Sequence, residues 1–84
     1  MKLVFHEQAW DDYLYWQKHD RKLHGRLNTL IRECMRTPFS GAGKPEPLKG
    51  SLSGWWSRRL NREHRLVYRV HNDHIEVRDH DQER

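Results

Sequence analysis

Between Asp20 and Pro38 the apolar residues fall at Leu23, Leu27, Leu30, Ile31 and Cys34. Steps of i, i+4, i+7, i+8 and i+11 line one side of an α-helix and leave the rest polar. A one-sided helix of this kind draws its stability from an apolar surface to lie on, so the remainder of the chain must build one. Asp20 stands where an N-cap belongs, and Pro38 cannot continue the helix. A second helical pattern precedes it, with Ala9, Trp10, Tyr13 and Leu14 at helical spacing and Glu7, Asp11 and Asp12 toward the start. Joined around His19-Asp20, the two helices form an αα-hairpin. Trp10, Tyr13, Tyr15 and Trp16 are expected in the core or between the helices.

The surface they need is encoded further on. Arg65 to Val70 alternates, with Leu66, Tyr68 and Val70 on one side and Arg65, Val67 and Arg69 on the other. Trp55 to Leu60 is an aromatic and basic strand signal, and His74 to Val77 a shorter one. Asn61 to His64 and Asn72-Asp73 supply the connecting turns, while Leu3-Val4-Phe5 is a short β-prone start. Thr37 to Gly43 is a loop by composition, and Lys44-Pro45-Glu46-Pro47 is stiffened on both sides of one carboxylate. The order β-α-α-β-β-β predicts an α+β fold: two N-terminal helices on one face of a twisted, mostly antiparallel sheet, with the other face open to bind something.

At 84 residues there is room for one domain, 1–84, around one core. Apolar residues make up only 35% of the chain, and four Trp, three Tyr and two Phe compensate by burying large areas each. Charged residues are interspersed with the apolar periodicity, which argues against disorder. A single cysteine excludes an intramolecular disulfide, and its place on the helical stripe predicts a buried, inert thiol. No apolar run reaches signal-peptide or membrane-spanning length, so no membrane is expected and a cytoplasmic location is.

A net charge of +4 suits a polyanion or an acidic protein partner. Toward the open face the sequence gathers Lys44, Glu46, Lys49, Arg58, Arg59, Arg65 and Arg69, although alternation prevents Arg58 and Arg59 from pointing the same way. One carboxylate among several cations fits metal-free RNA cleavage. There the 2′-hydroxyl attacks, a base takes its proton, cations stabilise the pentacoordinate phosphorus, and an acid protonates the leaving 5′-oxygen. Glu46 can be the base, Arg59 and Arg65 the stabilising cations, and Lys49 a nearby point charge. The same residues also make an ordinary solvated surface network. His71, His74 and His80 invite a metal reading, but they lack a well-defined ligand set and no metal or cofactor is expected. Of Trp55-Trp56, one must face inward on a strand and the other can stack on bases.

The runs "WDDYLYWQ", "RTPFSGAGKPEPLK" and "LSGWWSRRLNREHRLVYRV" closely resemble the YoeB toxins of the RelE superfamily, from Met1 to about Val77. The resemblance implies a RelE-like, microbial-ribonuclease-like fold and cleavage of messenger RNA in the A site of the 70S ribosome by the 2′-hydroxyl route. It implies as partners an acidic YefM-like antitoxin, operator DNA through the antitoxin complex only, and a second copy in a homodimer. Position by position, it makes Glu46 the general base, Arg65 the transition-state arginine, and Lys49 and Arg59 the phosphate-binding cations. Lys44, Arg58 and Arg84 are expected to add to RNA binding. The family's usual ending is an aromatic-rich run whose penultimate histidine is the general acid and whose last tyrosine helps set the site. Here Glu83 and Arg84 stand in those two places, and residues 78–84 read as a divergent tail without a packing signal. His80 would face away from position 83 on a regular strand. A ribosome-dependent endonuclease attenuated by its tail is therefore expected; the alternatives are a catalytically impaired binding module for antitoxin and ribosome, and a general basic nucleic-acid-binding domain.

Overall fold

The structure, a computed structural model, describes residues 1–79. The expectations for His80, Glu83 and Arg84 lie outside the described residues.

Helix α1 spans Glu7–His19 and helix α2 Arg21–Arg36. Asp20 ends the first and begins the second: its backbone N–H bonds the carbonyl of Trp16, and its carboxylate accepts the N–H of Leu23 at 3.0 Å. One residue thus closes two helix ends and forces the hairpin. The predicted stripe is buried along its whole length, and Leu30 and Cys34 are almost wholly enclosed. Burial raises the Cys34 thiol to about 11, with Arg58 and Tyr68 pulling weakly the other way, so the thiolate needed for reaction is scarce.

The strands are β1 Lys2–Phe5, β2 Glu46–Pro47, β3 Trp56–Arg59, β4 Arg65–Val70 and β5 His74–Arg78. They form one sheet in the order β1-β5-β4-β3-β2. All pairings are antiparallel except β1 with β5, which is parallel because the helical hairpin and the rest of the sheet intervene between them. Two details depart from expectation. Glu46-Pro47 is an edge strand rather than loop, and the edge tolerates a proline there because no outer partner asks for its missing N–H. Arg78, grouped with the divergent tail by composition, is the last residue of β5, and Asp79 beyond it is buried.

Cross-strand partners share a face, so the register sorts the side chains. Leu66, Tyr68, Ile75 and Val77 meet the α2 stripe and Ala9, with Phe5, Tyr13, Trp16, Trp56 and Val70 packed around them. The assignment of Trp10 and Tyr15 to the core is corrected: both are exposed. Trp10 stacks on Tyr13 with ring centroids 5.3 Å apart and meets Phe5 of β1 edge-on at 5.5 Å, while Tyr15 lies against His19 of its own helix at 4.4 Å. Trp56 is the inward member of the Trp55-Trp56 pair. Trp55 is buried too, but between cations, with Arg69 4.4 Å and Arg78 5.2 Å from the ring centroid. It is therefore not exposed for stacking on bases.

Candidate active site on the open sheet face

The site is assembled by register. Glu46 on β2 pairs with Ser57 on β3, Ser57 with Val67 on β4, and Arg59 with Arg65. These residues all face away from the helices. The turn that delivers Glu46 to this edge is tightly specified. Gly43 has φ +83°, and a side chain there would meet Arg58, the Arg59 carbonyl and Leu30 at 3.1–3.2 Å. Lys44, with φ 51°, continues in the left-handed region, which ordinary residues seldom occupy. The Gly43 carbonyl then accepts the N–H of Arg59 at 2.7 Å, which docks the loop onto β3.

Arg65 Nη1 donates to Ser57 Oγ at 3.1 Å and lies 3.7 Å from Glu46 Oε1. The Glu46 and Arg65 side chains are 56% and 41% exposed, whereas Ser57 is fully buried between them. Arg59 is exposed on the same face, and Lys44 and Lys49 are exposed on either side of Glu46 along the chain. A solvent-accessible carboxylate beside a half-exposed guanidinium can take a proton while the cation meets an anionic phosphorus group. The register puts Glu46, Arg59 and Arg65, the residues singled out in the sequence, on this one face, with Arg65 nearest Glu46.

Arg58 is the correction. It was expected to bind RNA, but its side chain is wholly buried on the helix side of the sheet. Its Nη1 donates to the Ala42 carbonyl at 2.9 Å, and its Nη2 donates to the carbonyls of Ser40, at 2.8 Å, and Thr37. Its Nε donates to the Tyr68 hydroxyl at 3.2 Å, which in turn donates to the Pro38 carbonyl at 2.6 Å. Burial raises that phenol to about 12, so it keeps the proton it donates. Arg58 is thus the fastening of the 37–43 loop, and the alternation that sends Arg59 outward sends Arg58 in.

A second cluster on the open face was not anticipated. Glu76 on β5 accepts from His6 Nε2 at 2.6 Å, His71 Nε2 at 2.8 Å, and Arg69 Nε and Nη2 at 3.3 and 3.2 Å. These partners come from the start of α1, the β4–β5 turn and β4, so one carboxylate ties three segments. His71 also stacks on His74 at 4.2 Å, and His74 bonds Asp73. Among the described residues no group of three potential ligands converges on a metal site.

The hydrogen bond from His6 is the main cause that holds Glu76 down to about 2; burial opposes it, and His71 and Arg69 add to it. A carboxylate depressed in the folded state contributes stability that is complete above its unfolded value, about 4.3, and is lost as pH falls through about 2. Glu76→Gln should accordingly cost about 1–3 kcal/mol at pH 7 in urea unfolding, and the gap should close as pH is lowered toward 2. A gap that is constant with pH would show that the charge is not what matters.

Comparison with known proteins places this geometry in a family. Residues 5–81 match the model described as "YoeB-like toxin of bacterial type II toxin-antitoxin system". The chain is 57% identical over 75 residues to Toxin YoeB of Escherichia coli K12, covering 89% of each chain. It superposes on a YoeB/ParE toxin from Agrobacterium tumefaciens with a TM-score of 0.91 and 52% identity, covering 94% of both. YoeB of Staphylococcus aureus, solved as a dimer and in a heterotetrameric YoeB-YefM complex, matches with TM-scores of 0.89 and 0.88. Identity is 42% in both cases, over 94% of this chain and 92% of that one. With the fold, the matched span and the identity in agreement, this chain belongs to the YoeB-like toxins of bacterial type II toxin–antitoxin systems.

Proposed function

We propose that this toxin is an endoribonuclease that cuts messenger RNA in the ribosomal A site, with turnover held down by its unusual ending. The placement of Glu46, Arg65 and Arg59 on one open sheet face carries the reading. Glu46 takes the proton of the 2′-hydroxyl, whose oxygen attacks the adjacent phosphorus. Arg65 and Arg59 stabilise the charge that builds on the phosphoryl oxygens, and Lys44 and Lys49 hold the neighbouring backbone. The 5′-oxygen leaves and needs a proton, and in this step the chain differs from its family, with Glu83 in the place of the histidine.

A weak acid donor and intact binding groups also support a second reading, in which the chain engages ribosome and antitoxin with little cleavage. The partner it calls for is an acidic, YefM-type segment laid over the basic face, where it would cover Arg59 and Arg65. The Staphylococcus relative, found with YefM and as a dimer, supports both that partner and self-association. Operator DNA would be reached through the antitoxin complex. No helix among the described residues is long and apolar enough to cross a membrane.

The test is a translation extract programmed with a defined message and mapped by primer extension. Cuts confined to the A-site codon of ribosome-bound message are expected. Intact message at high protein would leave the binding reading, and equal cutting of free RNA would remove the ribosome from the account.

A further inference from the structure

Ser57 is fully buried, yet it sits in the centre of a face whose functional residues are exposed. A buried hydroxyl needs a hydrogen-bond partner. Ser57 finds one in Arg65, whose Nη1 donates to its Oγ at 3.1 Å. The strand register fixes where that oxygen lies, because Ser57 is paired with Glu46 on one side and with Val67 on the other. Val67 is itself buried, so the acceptor is held rigidly on three strands.

Arg65 by contrast is long and half-exposed, with many rotamers open to it. Two of them would be harmful. In one, the guanidinium closes on Glu46 as a bidentate ion pair, which engages both carboxylate oxygens and lowers the basicity of the proton acceptor. In the other it swings into solvent, away from the place where a phosphate must sit. The hydroxyl of Ser57 selects neither. It retains Nη1 while Glu46 Oε1 stays 3.7 Å off, beyond normal hydrogen-bond length.

We propose that Ser57 is a positioning residue that fixes the Arg65 guanidinium at a set distance from Glu46, so that cation and base act on the substrate rather than on each other. The inference rests on the endonuclease reading for its effect on rate, but not for its effect on Arg65 itself. Ser57 acts through Arg65 and does not touch the reacting atoms.

The experiment has two arms, each on Ser57→Ala and on Ser57→Cys, which fills the site with a slightly larger sulfur that is a weak acceptor. In the first, single-turnover cleavage of ribosome-bound message should fall roughly 10- to 100-fold in both variants, as misplacement by about an ångström does, with message affinity unchanged. In the Arg65→Ala background the same substitutions should cause no further loss. An additive loss there, or an unchanged rate in a wild type that does cleave, overturns the proposal. In the second arm, NMR of the folded, unliganded protein measures rotation of the Arg65 guanidinium about its Nε–Cζ bond. Rotation should be slow in wild type and faster in both variants. Equal rotation in all three overturns the proposal even where cleavage is seen. If wild type cuts no message, the endonuclease reading falls, and this second arm alone decides whether Ser57 holds Arg65.

Discussion

Glu83→His combined with Arg84→Tyr should raise the rate of A-site cleavage by about 10²–10⁴-fold, the usual contribution of a positioned general acid. The leaving 5′-oxygen is a poor leaving group unless it is protonated as the P–O bond breaks. A histidine near neutral pH carries a proton and releases it readily. A glutamate is already ionised near neutral pH, and a site built from cations to bind phosphate would favour that ionised form further. On the proposed reading Glu46 is the base and Arg59 and Arg65 the phosphate-binding cations, so the substitution would add the remaining group, the acid. The measurement is cleavage of ribosome-bound message by wild type and by the double variant. Glu46→Ala placed in the restored background should remove the gain while affinity for an acidic antitoxin peptide persists. A restored ending without a faster cut would mean that the tail is not the lesion.

How far the sequence discloses this molecule depends on the range of the interactions involved. The α2 stripe and the alternation of Arg65 to Val70 repeat within a few residues, and each implies its element directly. Asp20 likewise signals a cap whose acceptor and donor are three residues apart. The two-residue strand at Glu46-Pro47 is too short for any period and has a proline on each side of Glu46 that argues for loop, so its pairing with β3 is visible only in three dimensions. The Glu76 cluster is less legible still, since His6 and Glu76 stand 70 residues apart and meet through the parallel pairing of β1 with β5. In the candidate site, Glu46, Arg59 and Arg65 could be selected by chemistry. Ser57 could not, because a small hydroxyl between aromatic and basic neighbours gives no sign that its oxygen holds an arginine.

Arg58→Ala should be strongly destabilising, costing about 3–5 kcal/mol in chemical denaturation. Deleting the side chain removes the Arg58 donors from the Ala42 carbonyl and the Tyr68 hydroxyl, and leaves the Ser40 and Thr37 carbonyls only their bonds from Thr37 Oγ1 and the Ser40 N–H. It also opens a cavity beneath the strand, since the side chain is fully enclosed. A domain of this size has about 5–15 kcal/mol of stability in all, and each kilocalorie shifts its melting temperature by roughly 4–8 °C. Arg59→Ala, one residue on and facing solvent, should stay within about 0.5 kcal/mol of wild type. Arg58→Lys separates charge from geometry: one ammonium cannot reach four acceptors spread as a fork would reach them, so most of the loss should persist. An Arg58→Ala protein within about 1 kcal/mol of wild type would refute the fastening role. The effect should also extend to the reaction. The loop that Arg58 holds continues through Gly43 and Lys44 to Glu46, so loosening it moves Glu46 relative to Arg65. On the endonuclease reading, Arg58→Lys, assayed where it is still folded, should therefore cleave more slowly than Arg59→Lys although Arg58 is enclosed on the helix side of the sheet.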